Sequence, residues 1–152
     1  FQFERGAERY REDEITQAGK EVKSVNIETW EGLWKVGLSV CFDLRFPELF
    51  RKLDTPDIIT LPAAFTTFTG RAHWDTLVRA RAIENQCYVL ACAQGGQHES
   101  GRQTWGHSIL IDPWGATVAE LTQGEGVLLA EVYDKRIKQA REILPALKSR
   151  AI

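Results

Sequence analysis

Cys41 is the residue best placed in this chain to act as a nucleophile. It closes the short run Val36-Gly37-Leu38-Ser39-Val40, which holds β-branched residues and a glycine. A run of that length and content predicts a buried strand. Pro47-Glu48 follows, and a proline at the first helical position with an acid in the first turn predicts a helix start. Cys41 therefore falls at a strand end, on a sharp turn, just ahead of a helix. A thiol in such a place meets backbone N–H groups that favour the thiolate. This is the geometry of a nucleophile elbow, with Cys where other folds use Ser. A lone Cys is equally suited to packing as a small hydrophobe, and the pattern alone leaves both readings open.

The elements that must position Cys41 can be read outward from it. Residues 22–29 alternate, with Val25 and Ile27 on one side, and predict a strand. Glu31-Gly32 is a turn signal, so this strand and the one ending at Cys41 form an antiparallel hairpin. Residues 46–53 carry Phe46, Leu49, Phe50 and Leu53 at helical spacing. Arg45 and Glu48 are expected to form a structural ion pair; contact with substrate is the alternative. Residues 58–61 form a second buried strand that runs into Pro62-Ala63-Ala64-Phe65-Thr66-Thr67-Phe68-Thr69-Gly70.

Ligands of α/β proteins sit at the carboxyl ends of strands. If these two strands are parallel neighbours, the loop after residue 61 shares a wall with Cys41. Ala63 and Ala64 are small enough to let a substrate approach the backbone. Phe65 and Phe68 offer apolar walls or core, and Thr66 and Thr67 offer hydroxyls.

Residues 73–86 are the clearest helix, with Trp74, Leu77 and Val78 in a stripe. Arg81 falls on the apolar side and needs a partner. Glu84 or a residue of the half not present is expected to provide it; recognition of a substrate carboxylate is the alternative. His73 is expected in the first turn as a structural histidine. Residues 87–93 form an apolar strand in which Cys87 and Cys92 are expected to be packing. The polar loop 94–102 either covers the site and helps choose the substrate or is plain surface. Residues 107–111 and 116–121 flank the β-turn Asp112-Pro113-Trp114-Gly115. Residues 126–132 read as a last strand and 133–144 as a last helix, stopped by Pro145.

Composition limits the function classes. The chain has 152 residues, 43% hydrophobic and 26% charged, with a formal net charge of −2. That is ordinary for a soluble globular domain, and it offers no electrostatic footprint for nucleic acid. No apolar run is long enough to span a bilayer. Cys41, Cys87 and Cys92, with His73, His98 and His107, show neither a disulfide framework nor zinc spacing. A reducing cytoplasm is the expected location. The chain contains no Met, so Phe1 is not expected to be a translational start.

Several stretches together carry a resemblance. These are Cys41-Phe42-Asp43-Leu44-Arg45-Phe46-Pro47-Glu48, Leu61-Pro62-Ala63-Ala64-Phe65, Thr69-Gly70-Arg71-Ala72-His73-Trp74, Arg79-Ala80-Arg81-Ala82-Ile83-Glu84-Asn85-Gln86, Gly106-His107-Ser108 and Asp112-Pro113-Trp114-Gly115. In this order they resemble the nitrilase, or carbon–nitrogen hydrolase, superfamily. The likeness is greatest to the branch of deaminated-glutathione amidases and omega-amidases.

The resemblance implies an α/β (α+β by some schemes) fold: part of a four-layer α-β-β-α sandwich with mixed sheets and outer helices. It also implies that residues 1–152 are a single domain, the C-terminal part of one whose N-terminal half is absent here. Further implications are hydrolysis of a small linear amide through a thioester on Cys41, releasing ammonia, without metal or organic cofactor, in a homo-oligomer. A glutamate base and a lysine lie in the half not present. Glu12 matches the segment that supplies a second active-site glutamate, with Glu14 as the alternative match. Phe42 is expected to lend a backbone N–H to the oxyanion; Ala64, Phe65 and Thr66 are expected to line the substrate. The competing readings are a non-catalytic fragment or pseudoenzyme acting in assembly, a small-molecule binding module, and, within enzymes, a nitrilase or N-carbamoyl hydrolase.

Overall fold

The structure, a computed structural model, describes residues 2–5, 8–11, 14, 16–99 and 101–150. Its centre is a six-stranded mixed sheet. The strands are β3 (Ser24–Thr29), β4 (Gly32–Leu38), β5 (Ile58–Ala63), β6 (Tyr88–Ala93), β9 (Ser108–Ile111) and β10 (Thr117–Leu121). They lie side by side in the order β10-β9-β6-β5-β4-β3. The three middle strands, β4, β5 and β6, run parallel, and the flanking pairs are antiparallel. Two short hairpins stand apart: β1 (Gln2–Arg5) with β2 (Glu8–Arg11), and β7 (Gly95–Gln97) with β8 (Gln103–Trp105).

Parallel neighbours need crossovers, and helices supply them. α1 (Pro47–Lys52) links β4 to β5, and α2 (Thr67–Asn85) links β5 to β6. Both cover one face of the sheet. Strand alternation sends Ile59, Leu61, Val89, Ala91, Ile109 and Ile111 to that face. There they join Phe50, Leu53, Trp74, Val78 and Ala82 in the main core. Gly37 belongs to this packing, because a Cβ there would come within 2.6 Å of Leu53.

The other face is covered differently. α3 (Asp134–Ile143) lays Ile137 against Trp34, Tyr88 and Leu110. Beyond that patch the same face is open: Val25, Ile27, Leu38 and Leu90 are all 36–49% exposed. The register places them together, since Val25 pairs with Val36, Leu38 with Thr60, and Thr60 with Leu90. Among the described residues, no helix is long and apolar enough to cross a membrane.

Three expectations need correction. The long helix begins at Thr67, not at residue 73. The Thr66 hydroxyl accepts a 3.3 Å bond from the Thr69 N–H and caps it, so His73 stands well inside the helix. A glycine costs helix stability against Ala, and Gly70 is what hides this first turn in the sequence. Residues 126–132 form no strand: Val127 and Leu129 are exposed, and Val132 packs on the Trp34–Tyr88 patch instead. Alternation marks a strand only where a sheet edge offers partners. The polar stretch 94–102, expected to be a loop, contributes β7 and the turn of the β7–β8 hairpin.

Gly70 has a physical reason to be glycine. A Cβ there would lie 2.3 Å from Cβ and Cγ of Trp105. Gly70→Ala should therefore destabilise the protein by about 1–3 kcal/mol, as overpacking does, although helix propensity alone favours Ala. Chemical denaturation of the two proteins checks the sign.

Candidate active site

The end of β4 is built to hold a turn. The buried Ser39 receives the chain: its N–H donates to the Thr60 carbonyl at 3.1 Å, and its hydroxyl donates to the same oxygen at 2.8 Å. Val40 is still extended. Cys41 then turns sharply, with φ of 43°. Left-handed backbone costs an L-residue roughly 1–2 kcal/mol, so its neighbours must enforce it. Asp43 does so from the following 3-10 turn, Cys41–Arg45. Its carboxylate accepts from the Val40 N–H at 2.8 Å, and its own N–H donates to the Val40 carbonyl at 2.9 Å. Cys41 is thereby fixed at the carboxyl end of a parallel strand, half-buried.

The turn is anchored from behind by Arg81 of α2. This side chain is buried, and its Nε and Nη2 donate to the Leu44 carbonyl at 3.1 and 2.7 Å. Its Nη1 meets Glu84 at 2.9 Å, and the guanidinium lies over the Phe50 ring. The Arg81–Glu84 pair is therefore present, and the arginine faces the turn. Arg45 differs from expectation. Its Nη1 is 3.2 Å from Nδ1 of His73, and it lies over the rings of Phe65 and Phe42. Among the described residues, no ion pair joins it to Glu48.

Cys41 opens into a cleft of about 530 Å³ at the carboxyl ends of β4, β5 and β6. Ala64, Cys92, Gln94, Arg102 and Ser108 line it with Cys41. Parallel strands whose ends share a crevice are the usual ligand site of such sheets. Of the residues expected to meet substrate, the structure brings Cys41, Ala63 and Ala64 together in this cleft.

Phe42 follows Cys41 in the turn, half-buried, with its ring edge-on to Phe46 at 5.4 Å. Phe65 and Thr66, expected near the substrate, are placed as follows. The Phe65 side chain is buried in the main core, edge-on to Trp74 at 5.1 Å. The Thr66 hydroxyl is taken up by the cap of α2, 3.0 Å from the Thr69 hydroxyl. Alternation explains Phe65, because it follows a strand whose odd residues face the helices. Phe68 is exposed rather than core. Glu12 lies outside the described residues. Glu14 lies in a described, exposed position.

The other cysteines also separate. Cys87 is fully buried, and burial pushes its thiol pKa upward, with Arg141 opposing the shift. Cys92 is exposed and lines the cleft, contrary to its reading as packing. Its pleat position sends it to the open face, where the sheet lacks a cover. Sequence reasoning also named the 94–102 loop without singling out Arg102. Its guanidinium reaches back to the Ala64 carbonyl, and loop composition gave no signal for that contact.

A family model described as carbon–nitrogen hydrolase matches residues 1–142. The chain belongs to the carbon–nitrogen hydrolase family. Among curated relatives, the deaminated glutathione amidase of Synechocystis sp. (strain PCC 6803 / GT-S) is 49% identical over 117 residues, which are 76% of this chain and 43% of that protein. The crystal structure of the Caenorhabditis elegans NitFhit protein matches with a TM-score of 0.86 at 44% identity, over 99% of this chain and 37% of that one. A point mutant of the amidase from Nesterenkonia sp. AN1 matches with a TM-score of 0.64 at 25% identity, over 85% of this chain and 51% of that one. In that structure acrylamide has added to the active-site cysteine. The chain spans less than half the length of the curated relatives it matches.

Two outcomes follow from this geometry. Arg81→Met should destabilise the protein by about 2–4 kcal/mol, because it strips a buried carbonyl and a half-buried carboxylate of their partner; urea unfolding measures this. Iodoacetamide at pH 8 should leave Cys87 unlabelled in the native protein, since a thiol with a raised pKa stays protonated and unreactive. Mass mapping should find Cys87 labelled only after unfolding.

Proposed function

We propose that this chain is the Cys-bearing C-terminal part of an amidase that hydrolyses a small linear amide through a thioester. The observation that carries this reading is Cys41, held at positive φ on a strand end that opens into the cleft. A turn enforced this way presents the side chain to a ligand and keeps neighbouring backbone N–H groups close to it.

The Cys41 thiol gives its proton to a carboxylate base, and Sγ bonds to the amide carbon. The carbonyl becomes an oxyanion, to which the Phe42 N–H donates a hydrogen bond. As the C–N bond breaks, the protonated base returns a proton to nitrogen. Ammonia leaves from a primary amide, or an amine from a substituted one. Water then attacks the thioester, its proton goes to the base, and the acid departs with the thiol restored. The relatives named deaminated glutathione amidase support an ω-amide or deaminated glutathione as substrate. The base and an oxyanion lysine are assigned to a preceding half of the same domain. Its sheet would cover the open apolar face of Val25, Ile27, Leu38 and Leu90 and complete a four-layer sandwich.

The test uses the full-length protein, wild type beside Cys41→Ala, on a panel of ω-amides that includes deaminated glutathione. Acid and ammonia or amine release should fall at least about 10³-fold in the variant, and hydroxylamine should trap the thioester as a hydroxamate in the wild type only. Residues 1–152 alone should show no turnover. An inactive wild type on every amide, nitrile and carbamoyl compound tried would sink the enzyme reading.

A further inference from the structure

We propose that Gln94 selects amides whose leaving amine carries a second amide group, its carboxamide hydrogen-bonding that group while Cys41 attacks the scissile carbon. The proposal rests on the amidase reading and deepens it by naming a substrate class and the residue that recognises it. Gln94 directly follows β6 and lines the cleft with Cys41. Two other polar side chains of that wall are engaged elsewhere. The Ser108 hydroxyl accepts from the Ala93 N–H at 2.9 Å and donates to the Ala93 carbonyl at 3.3 Å. The Arg102 guanidinium is turned to the Ala64 carbonyl. Cys92 also lines the cleft, but a thiol is only a weak donor. Among the described residues, the Gln94 carboxamide has no hydrogen-bond partner.

The backbone of Gln94 is held on both sides. Its N–H donates to the Ala63 carbonyl at 2.9 Å, and its carbonyl accepts from the Gly106 N–H at 3.0 Å. The next residue closes the base of the hairpin tightly: a Cβ on Gly95 would come within 2.9 Å of the Gly106 Cα. The main chain of Gln94 is therefore fixed while its side chain is left for a ligand. A carboxamide both donates and accepts. An amide group is its match, since it presents a carbonyl and an N–H, whereas a carboxylate would use the donors alone. The spacing also fits. β5 lies between β4 and β6, so the two strand ends stand roughly 10 Å apart at the usual strand separation. The thiol and the glutamine side chain reach in from either side. An amide group one residue beyond the reacting carbon, a step of about 3.6 Å, bridges the gap between them. A cleft of about 530 Å³ has the size of a site for drug-sized ligands, and a short primary amide would fill only part of it.

The experiment compares two amides in the full-length protein. N-glutarylglycinamide carries the second amide in its leaving amine. N-isobutylglutaramate matches it in size and charge and lacks that group. The wild type should favour the first in kcat/KM by about tenfold or more, chiefly through KM. Gln94→Leu should bring the ratio close to one. A ratio taken within one protein does not change if part of the variant is misfolded. Equal kcat/KM in the wild type, or a preference that survives Gln94→Leu, would overturn the proposal. If other amides are hydrolysed and neither of these two is, the proposal falls and the amidase reading stands. If no amide is turned over, the amidase reading fails by itself, and alkylation of Cys41 by iodoacetamide decides the subsite. N-glutarylglycinamide should then slow labelling more than the isobutyl compound does in the wild type, and not in Gln94→Leu. Absence of that difference in the wild type also overturns the proposal.

Discussion

The arrangement at Cys41 depends on one clamp, the Arg81 guanidinium on the Leu44 carbonyl. A 3-10 turn makes poorer hydrogen bonds than an α-helix, so the Asp43 bonds that hold Cys41 profit from a second support. Arg81 supplies it from a rigid element, a 19-residue helix that packs on the sheet. A buried guanidinium is costly unless its donors are satisfied. Here the Leu44 carbonyl, Glu84 and the Phe50 ring do that together. The demand for satisfaction runs both ways: the turn needs the arginine, and the arginine has a low-energy position only when the turn is formed.

Around that clamp, the sheet brings distant stretches to one place. Parallel pairing aligns the carboxyl ends of β4, β5 and β6, so residues 41, 64 and 92 meet despite their separation in sequence. The β7–β8 hairpin closes the side of this crevice, since Trp105 bonds to Phe65, and Gln94 at the hairpin's base bonds to Ala63, through the backbone. Side chains inside the helical layer are fixed by packing, and those on the other side line the cleft. Phe65 and Ala64 are adjacent in the chain and serve these two different purposes because the chain direction alternates them.

The strands and helices next to Cys41 were legible because their signals are local. Pro47, the apolar run before Cys41 and the Asp112–Gly115 turn each specify backbone within a few residues. Glu84 was legible as one candidate partner of Arg81 for a related reason: it lies one helical turn away. What the sequence hid depended on distant contacts. Gly70 masked the start of α2, since only Trp105, from another element, explains a glycine there. The capping role of the Thr66 hydroxyl was not legible, because the first turns of α2 were hidden. Val127 and Leu129 alternated like a strand with no sheet edge to join. Cys92 passed for core because alternation reveals that two faces exist, not which one is covered.

The left-handed turn at Cys41 has a consequence for stability. Glycine is the residue that adopts positive φ without a steric penalty, so this fold would be held more easily by glycine at that position. A thiol there works against the turn that displays it, and the surrounding hydrogen bonds absorb the difference. Selection for stability alone would thus tend to replace Cys41 by glycine, and a thiol kept there stands in a backbone conformation that disfavours it.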